Sequence, residues 1–82
     1  MIQFDPIKDQ LNVAKHGISL ARASDLVIEA RVTDPRFQEP RYRAYGRIDG
    51  VTYCLAYTIR DGAVRAISLR RARSKEFNRH VL

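Results

Sequence analysis

The chain has 82 residues, 45% of them apolar, and a formal net charge of +6. That is enough for one small domain with a modest core, taken here as residues 1–82, and no apolar run is long enough for a membrane span. A single cysteine, Cys54, excludes an internal disulfide, no metal-ligand spacing is present, and the start carries no secretion leader, so a cytoplasmic protein without metal or cofactor is expected.

The charge is unevenly placed. Residues 60–82 hold seven Lys/Arg against two Asp/Glu, whereas residues 1–30 hold three against four. The positive field therefore gathers at the end of the chain, and a polyanionic partner is expected.

Residues 1–4 alternate as a short strand. Asp5 and Pro6 then announce a helix: aspartate accepts from free amides, and proline at the first position forfeits no hydrogen bond. Ile7, Leu11 and Ala14 form its apolar stripe, extended by Ile18, with Lys8, Asn12 and Lys15 on another face. Gly17 ends it. His16 lies in the last turn, where the helix dipole favours an imidazolium. Ser19 caps a second expected helix over residues 20–30, striped by Leu20, Ala23, Val27 and Ala30. Residues 32–40 read as loop, since Pro35 and Pro40 discourage helix.

Three strands follow, over residues 41–48, 51–59 and 63–70. Asp49 and Gly50 form a two-residue hairpin turn. This sets Ile48 opposite Val51, Gly46 opposite Tyr53, Ala44 opposite Leu55 and Tyr42 opposite Tyr57, on an apolar face that carries the helices. The other face collects Arg41, Arg43, Tyr45 and Arg47 over Thr52, Cys54, Ala56 and Thr58. A three-residue second turn, Arg60 to Gly62, would bring Ile67 and Leu69 to the core. It leaves Val64, Ala66, Ser68 and Arg70 on the basic face and Arg65 at the apolar rim; a two-residue turn would invert all of them. A last helix carries Glu76 and Phe77. The expected fold is α+β: a small antiparallel sheet with a two-helix layer on one face, in the order β-α-α-β-β-β-α.

The last strand ends in Arg70 and Arg71, with Arg73 and Lys75 close behind. Paired guanidiniums at a strand end suit a phosphate clamp, because arginine binds phosphate oxygens bidentately and stays charged.

Phe4 and Asp5, Lys8, Asn12, then Lys15, His16 and Gly17 with Ser19 resemble the opening of the BrnT family of ribonuclease toxins. Tyr57 and Thr58, then Arg65, Ile67, Ser68, Arg70, Arg71, Ala72 and Glu76, resemble its closing signature. The likeness spans nearly the whole chain and is poorest over residues 28–42. It implies a RelE-like microbial ribonuclease fold and an endoribonuclease toxin of a type II toxin–antitoxin pair. The implied partners are RNA and a BrnA-type ribbon-helix-helix antitoxin, with DNA met only through that antitoxin. Phe4 stands where the family usually has tryptophan, Arg22 where an acidic capping residue is common, and Arg73 where threonine is usual.

The resemblance carries active-site roles onto His16, Tyr57, Arg70, Arg71 and Glu76. Metal-free RNA cleavage needs a base for the 2′-hydroxyl, cations for the phosphorane and an acid for the leaving oxygen. Arg70 and Arg71 are assigned to the phosphate, His16 or Glu76 to the base, and Tyr57 to the acid or to base stacking. Lys15, Arg41, Arg43, Arg47, Thr58 and Arg65 are the expected RNA contacts. Each has a plainer alternative: His16 capping carbonyls, Tyr57 in the core, Glu76 paired with an arginine, Arg70 and Arg71 docking the antitoxin. The alternative function is a non-catalytic basic nucleic-acid-binding or antitoxin-docking module.

Overall fold

A computed structural model describes residues 2–81. Helix α1 (Pro6–His16) is followed by a 3-10 helix (Leu20–Asp25), then strands β1 (Val27–Asp34), β2 (Arg41–Ile48), β3 (Val51–Arg60) and β4 (Ala63–Arg71), and helix α2 (Ser74–Val81). The strands form one antiparallel sheet in the order β1-β2-β3-β4. The α+β class is as expected; the element order is not. Among the described residues no helix is long and apolar enough to cross a membrane.

The expected second helix stops at Asp25, and the chain enters β1 where the sequence suggests helix and loop. Val27, Ile28, Val32 and Thr33 are β-branched and suit a pleated surface better than a helix. Leu20, Ala23 and Leu26 still reach the core, but Val27 is 68% exposed. Asp9 of α1 caps the 3-10 helix, accepting from Leu20 N at 2.7 Å and from the Ser19 hydroxyl at 2.9 Å. It supplies the acidic cap that Arg22 does not.

At the N-terminus, Met1 lies outside the described residues, and the expected strand reduces to one parallel bridge between Gln3 and Arg65. Gln3 N donates to Val64 O and Ala66 N donates to Gln3 O. Helix α1 has the predicted ends. Asp5 accepts from Ile7 N at 2.8 Å, and Gly17 takes a left-handed φ of 72°.

The predicted buried stripe of α1 faces outward instead: Ile7 is 68% and Leu11 64% exposed, while Asn12 is buried. The reason is β4, an edge strand. The Asn12 carboxamide donates to Leu69 O at 2.8 Å and accepts from Leu69 N at 3.1 Å, replacing a missing neighbour strand. It also donates to Ile18 O. Buried backbone polar groups demand partners, and here that demand outweighs the burial of two aliphatic side chains.

The β2–β3 register matches the expected pairing at all four positions. Asp49 and Gly50 both have positive φ, as the tight hairpin turn requires. Gly46 has a separate reason: a Cβ there would lie 2.1 Å from Val27 O.

The β3–β4 turn has two residues, Asp61 and Gly62, because Arg60 pairs with Ala63. Val64 and Ala66 therefore join the core face, and Arg65 sits across from Thr58, the reverse of the expectation. A bulge at Ile67 then inserts one extra residue and flips the alternation back. Ser68 and Arg70 share the basic face, and Leu69 is in the core, as expected.

The main core joins the 3-10 helix to one face of the sheet through Leu20, Ala23, Ala44, Leu55, Tyr57 and Leu69. The second face is not left open. Phe77 of α2 covers Tyr45, Cys54 and Ala72, so the last helix packs over part of the arginine-bearing surface.

Candidate functional site

Arg70 is the penultimate residue of β4, and its guanidinium donates to both oxygens of Glu76 in α2, Nη1 to Oε1 and Nη2 to Oε2, each at 2.8 Å. Glu76 Oε2 also accepts from the Tyr45 hydroxyl at 3.0 Å, which accepts in turn from Arg43 Nη1 at 3.2 Å. Tyr45 is fully buried, and its ring stacks on His80 with centroids 4.7 Å apart. The network Arg43–Tyr45–Glu76–Arg70 thus ties β2, β4 and α2 together.

Its electrostatics assign the carboxylate a fixed state. The Arg70 hydrogen bonds, reinforced by the Tyr45 hydroxyl, hold Glu76 down to about 2. Burial pushes the Tyr45 phenol above its ordinary value, and Glu76 raises the pKa of Arg70. Glu76 is therefore an ionised, fully engaged anchor at neutral pH, poorly suited to taking a proton.

His16 has the opposite setting. Partial burial, then the charges of Lys15 and Arg70, lower its pKa. All three act against the imidazolium that the helix dipole is expected to favour. At neutral pH the ring is uncharged and able to accept a proton.

Lys15, His16, Arg70, Arg71 and Glu76 line one cleft of about 640 Å³, together with Arg73 and Arg79. A second cleft of about 410 Å³ runs from Arg70 past Ser68 and Ile67 to Lys8 and Leu11. A third, of about 240 Å³, runs from Arg70 to Phe37, Arg41 and Arg43. Arg70 borders all three.

Four of the five residues expected at the active site are thereby gathered. Tyr57 is not among them: it is 6% exposed on the opposite face and stacks on Tyr42, centroids 5.4 Å apart. Thr58 is buried and donates to Pro40 O at 2.7 Å. Arg47 pairs with Glu29 and lies over the Phe77 ring, and Arg65 lines none of the three clefts. Arg41 and Arg43 do reach the third. Sequence reasoning gave Tyr45, Arg79 and Phe37 no role. For Tyr45 part of a signal existed, its place opposite Cys54 on the basic face; the pairing of Cys54 with Arg70 follows only from the Ile67 bulge.

By fold and site this is a small α+β protein built around a cationic cleft holding an uncharged imidazole, a surface that suits a phosphodiester. The family described as "Ribonuclease toxin, BrnT, of type II toxin-antitoxin system" matches over residues 4–76, and the chain belongs to it. The crystal structure of the Brucella abortus ribonuclease toxin BrnT is similar, with a TM-score of 0.68 and 26% identity; the match covers 89% of this chain and 96% of that one. No curated protein matches the chain.

Proposed function

We propose that this chain is an endoribonuclease toxin that cleaves RNA without a metal ion. His16 takes the 2′-hydroxyl proton as that oxygen attacks the adjacent phosphorus. Arg70 and Arg71 neutralise the phosphorane oxygens, and Glu76 aims Arg70 from behind. The bond to the 5′-oxygen breaks, leaving a 2′,3′-cyclic phosphate and a 5′-hydroxyl protonated from the open cleft. Tyr57 has no part in this scheme. The observation that carries the reading is the shared cleft of His16, Arg70 and Arg71.

In this reading the protein acts in the cytoplasm, arrests translation and growth, and groups with RelE-like ribonucleases. A BrnA-type ribbon-helix-helix antitoxin neutralises it by covering the cationic clefts, and contact with DNA comes only through that partner. The test is incubation of antitoxin-free protein with RNA in excess chelator, alongside His16→Ala and Arg70→Ala. Intact RNA after incubation with the unmodified protein would overturn it.

One observation favours a second reading. Both terminal nitrogens of Arg70 already serve Glu76, as in a module that binds polyanions without cutting them. It predicts salt-dependent RNA binding and uncleaved substrate.

A further inference from the structure

We propose that the third cleft is a nucleobase subsite, holding the base next to the phosphate gripped at Arg70. The proposal rests on the ribonuclease reading for the position of that phosphate.

Phe37 is 41% exposed and lines this cleft. The Arg41 guanidinium lies 3.9 Å from its centroid. A guanidinium has two planar faces. One rests on Phe37, and a base stacked on the other completes a ring–guanidinium–base pile, a common way to hold unpaired RNA bases. A second guanidinium, Arg36, lies 5.5 Å from the ring centroid and is itself fixed on the buried Asp34 carboxylate through Nε at 2.9 Å and Nη2 at 2.7 Å.

The floor is made of small residues, Ala56 and Ser68, brought side by side by the register after the Ile67 bulge. A flat ring can lie there. Arg43 supplies polar edge groups; its Nε is buried with no hydrogen-bond partner. The volume of about 240 Å³ is below the roughly 300–1,000 Å³ of drug-sized sites, which suits one base and not two. Arg70 borders both this cleft and the His16 cleft, so a single nucleotide step bridges them. Phe37 and Arg41 line this cleft and not the one that holds His16 and Arg71. The subsite thus sets base preference, apart from the residues assigned to cutting.

The test uses the full chain with two probes. The first is a mixed-sequence RNA whose cut sites are mapped for the unmodified protein, Phe37→Ala, Arg41→Ala and Phe37→Trp. Loss of one stacking partner should lower kcat/KM about tenfold, mainly through KM, and blur the base preference beside the cut, with Phe37→Trp restoring both. The second is a set of 2′-deoxy hexanucleotides carrying 2-aminopurine at each position in turn. One position should be quenched on binding, and Phe37→Ala should relieve the quenching. An unchanged cut pattern and unchanged quenching in Phe37→Ala and Arg41→Ala would overturn the subsite while leaving the nuclease intact. Phe37-dependent quenching without any cleavage would support the subsite and sink the nuclease reading.

Discussion

Glu76 closes on Arg70 with two parallel hydrogen bonds of 2.8 Å, and the Tyr45 hydroxyl buttresses the carboxylate from the far side. A bidentate pair of this kind fixes direction as well as charge.

Removing the carboxylate should therefore cost aim. Glu76→Ala is expected to lower kcat about 10- to 100-fold with little change in KM, and Glu76→Gln to recover part of it. Steady-state kinetics on a defined RNA reads this split. The pair also shapes acid stability. The folded pKa lies below its ordinary 4.5, so the stabilisation is complete above pH 4.5 and is lost as pH falls towards about 2. Acid unfolding followed by circular dichroism should show this loss in the parent protein and lack it in Glu76→Gln.

His16 acts only when uncharged, so the rate should rise with pH through its folded pKa and then level off. Because that pKa is lowered, the midpoint of the rise should lie below the usual 6.5. Lys15→Ala removes one of the charges that lower it and should move the rising limb to higher pH. His16→Ala should abolish the limb and cost about 10²- to 10⁴-fold in rate. A pH–rate profile of the three proteins decides this.

Asn12→Ala leaves Leu69 N and O without their side-chain partner at a buried edge. The expected cost is about 2 kcal/mol, or roughly 8–16 °C in Tm, measured by thermal denaturation. Asn12→Leu should not rescue it, since added apolar surface cannot replace the two hydrogen bonds.

Gly46→Ala places a methyl 2.1 Å from the Val27 carbonyl oxygen, a backbone atom that no rotamer change can move. β1 must separate from β2 at that end. A loss of about 3 kcal/mol is expected, read from denaturant midpoints. Gly50→Ala meets no such wall and should cost less, through its left-handed φ alone.

The legible parts of the sequence were those with local chemistry. Asp5, Pro6 and Gly17 announce α1, and Asp49 with Gly50 fixes the β2–β3 register, which puts Tyr57 on the apolar face. Arg70 and Ser68 reach their predicted face by a different route: a shorter turn reverses the alternation and the Ile67 bulge reverses it again. Val64, Arg65 and Ala66 are misplaced by the turn length: three residues would bring both Ile67 and Leu69 to the core, whereas the bulge, which leaves little trace in a pattern of alternating residues, brings Leu69 alone there. β1 was hidden because Leu20, Ala23 and Leu26 keep helical spacing up to the strand. Asn12 was hidden because its value depends on an edge supplied from 57 residues away. Of the proposed site, the family resemblance names His16, Arg70, Arg71 and Glu76; that they line one cleft, and that Glu76 is bound to Arg70, needs the folded geometry.

The closure of β4 by Gln3 and Asn12 makes the sheet lopsided. One margin is sealed by a neighbouring backbone and a carboxamide; the opposite margin, β1, begins with the exposed Val27 and Ile28, beside an irregularity at Glu29. Fibre growth from concentrated stocks would start there, and a lysine introduced at position 28 is where a solubility engineer should begin.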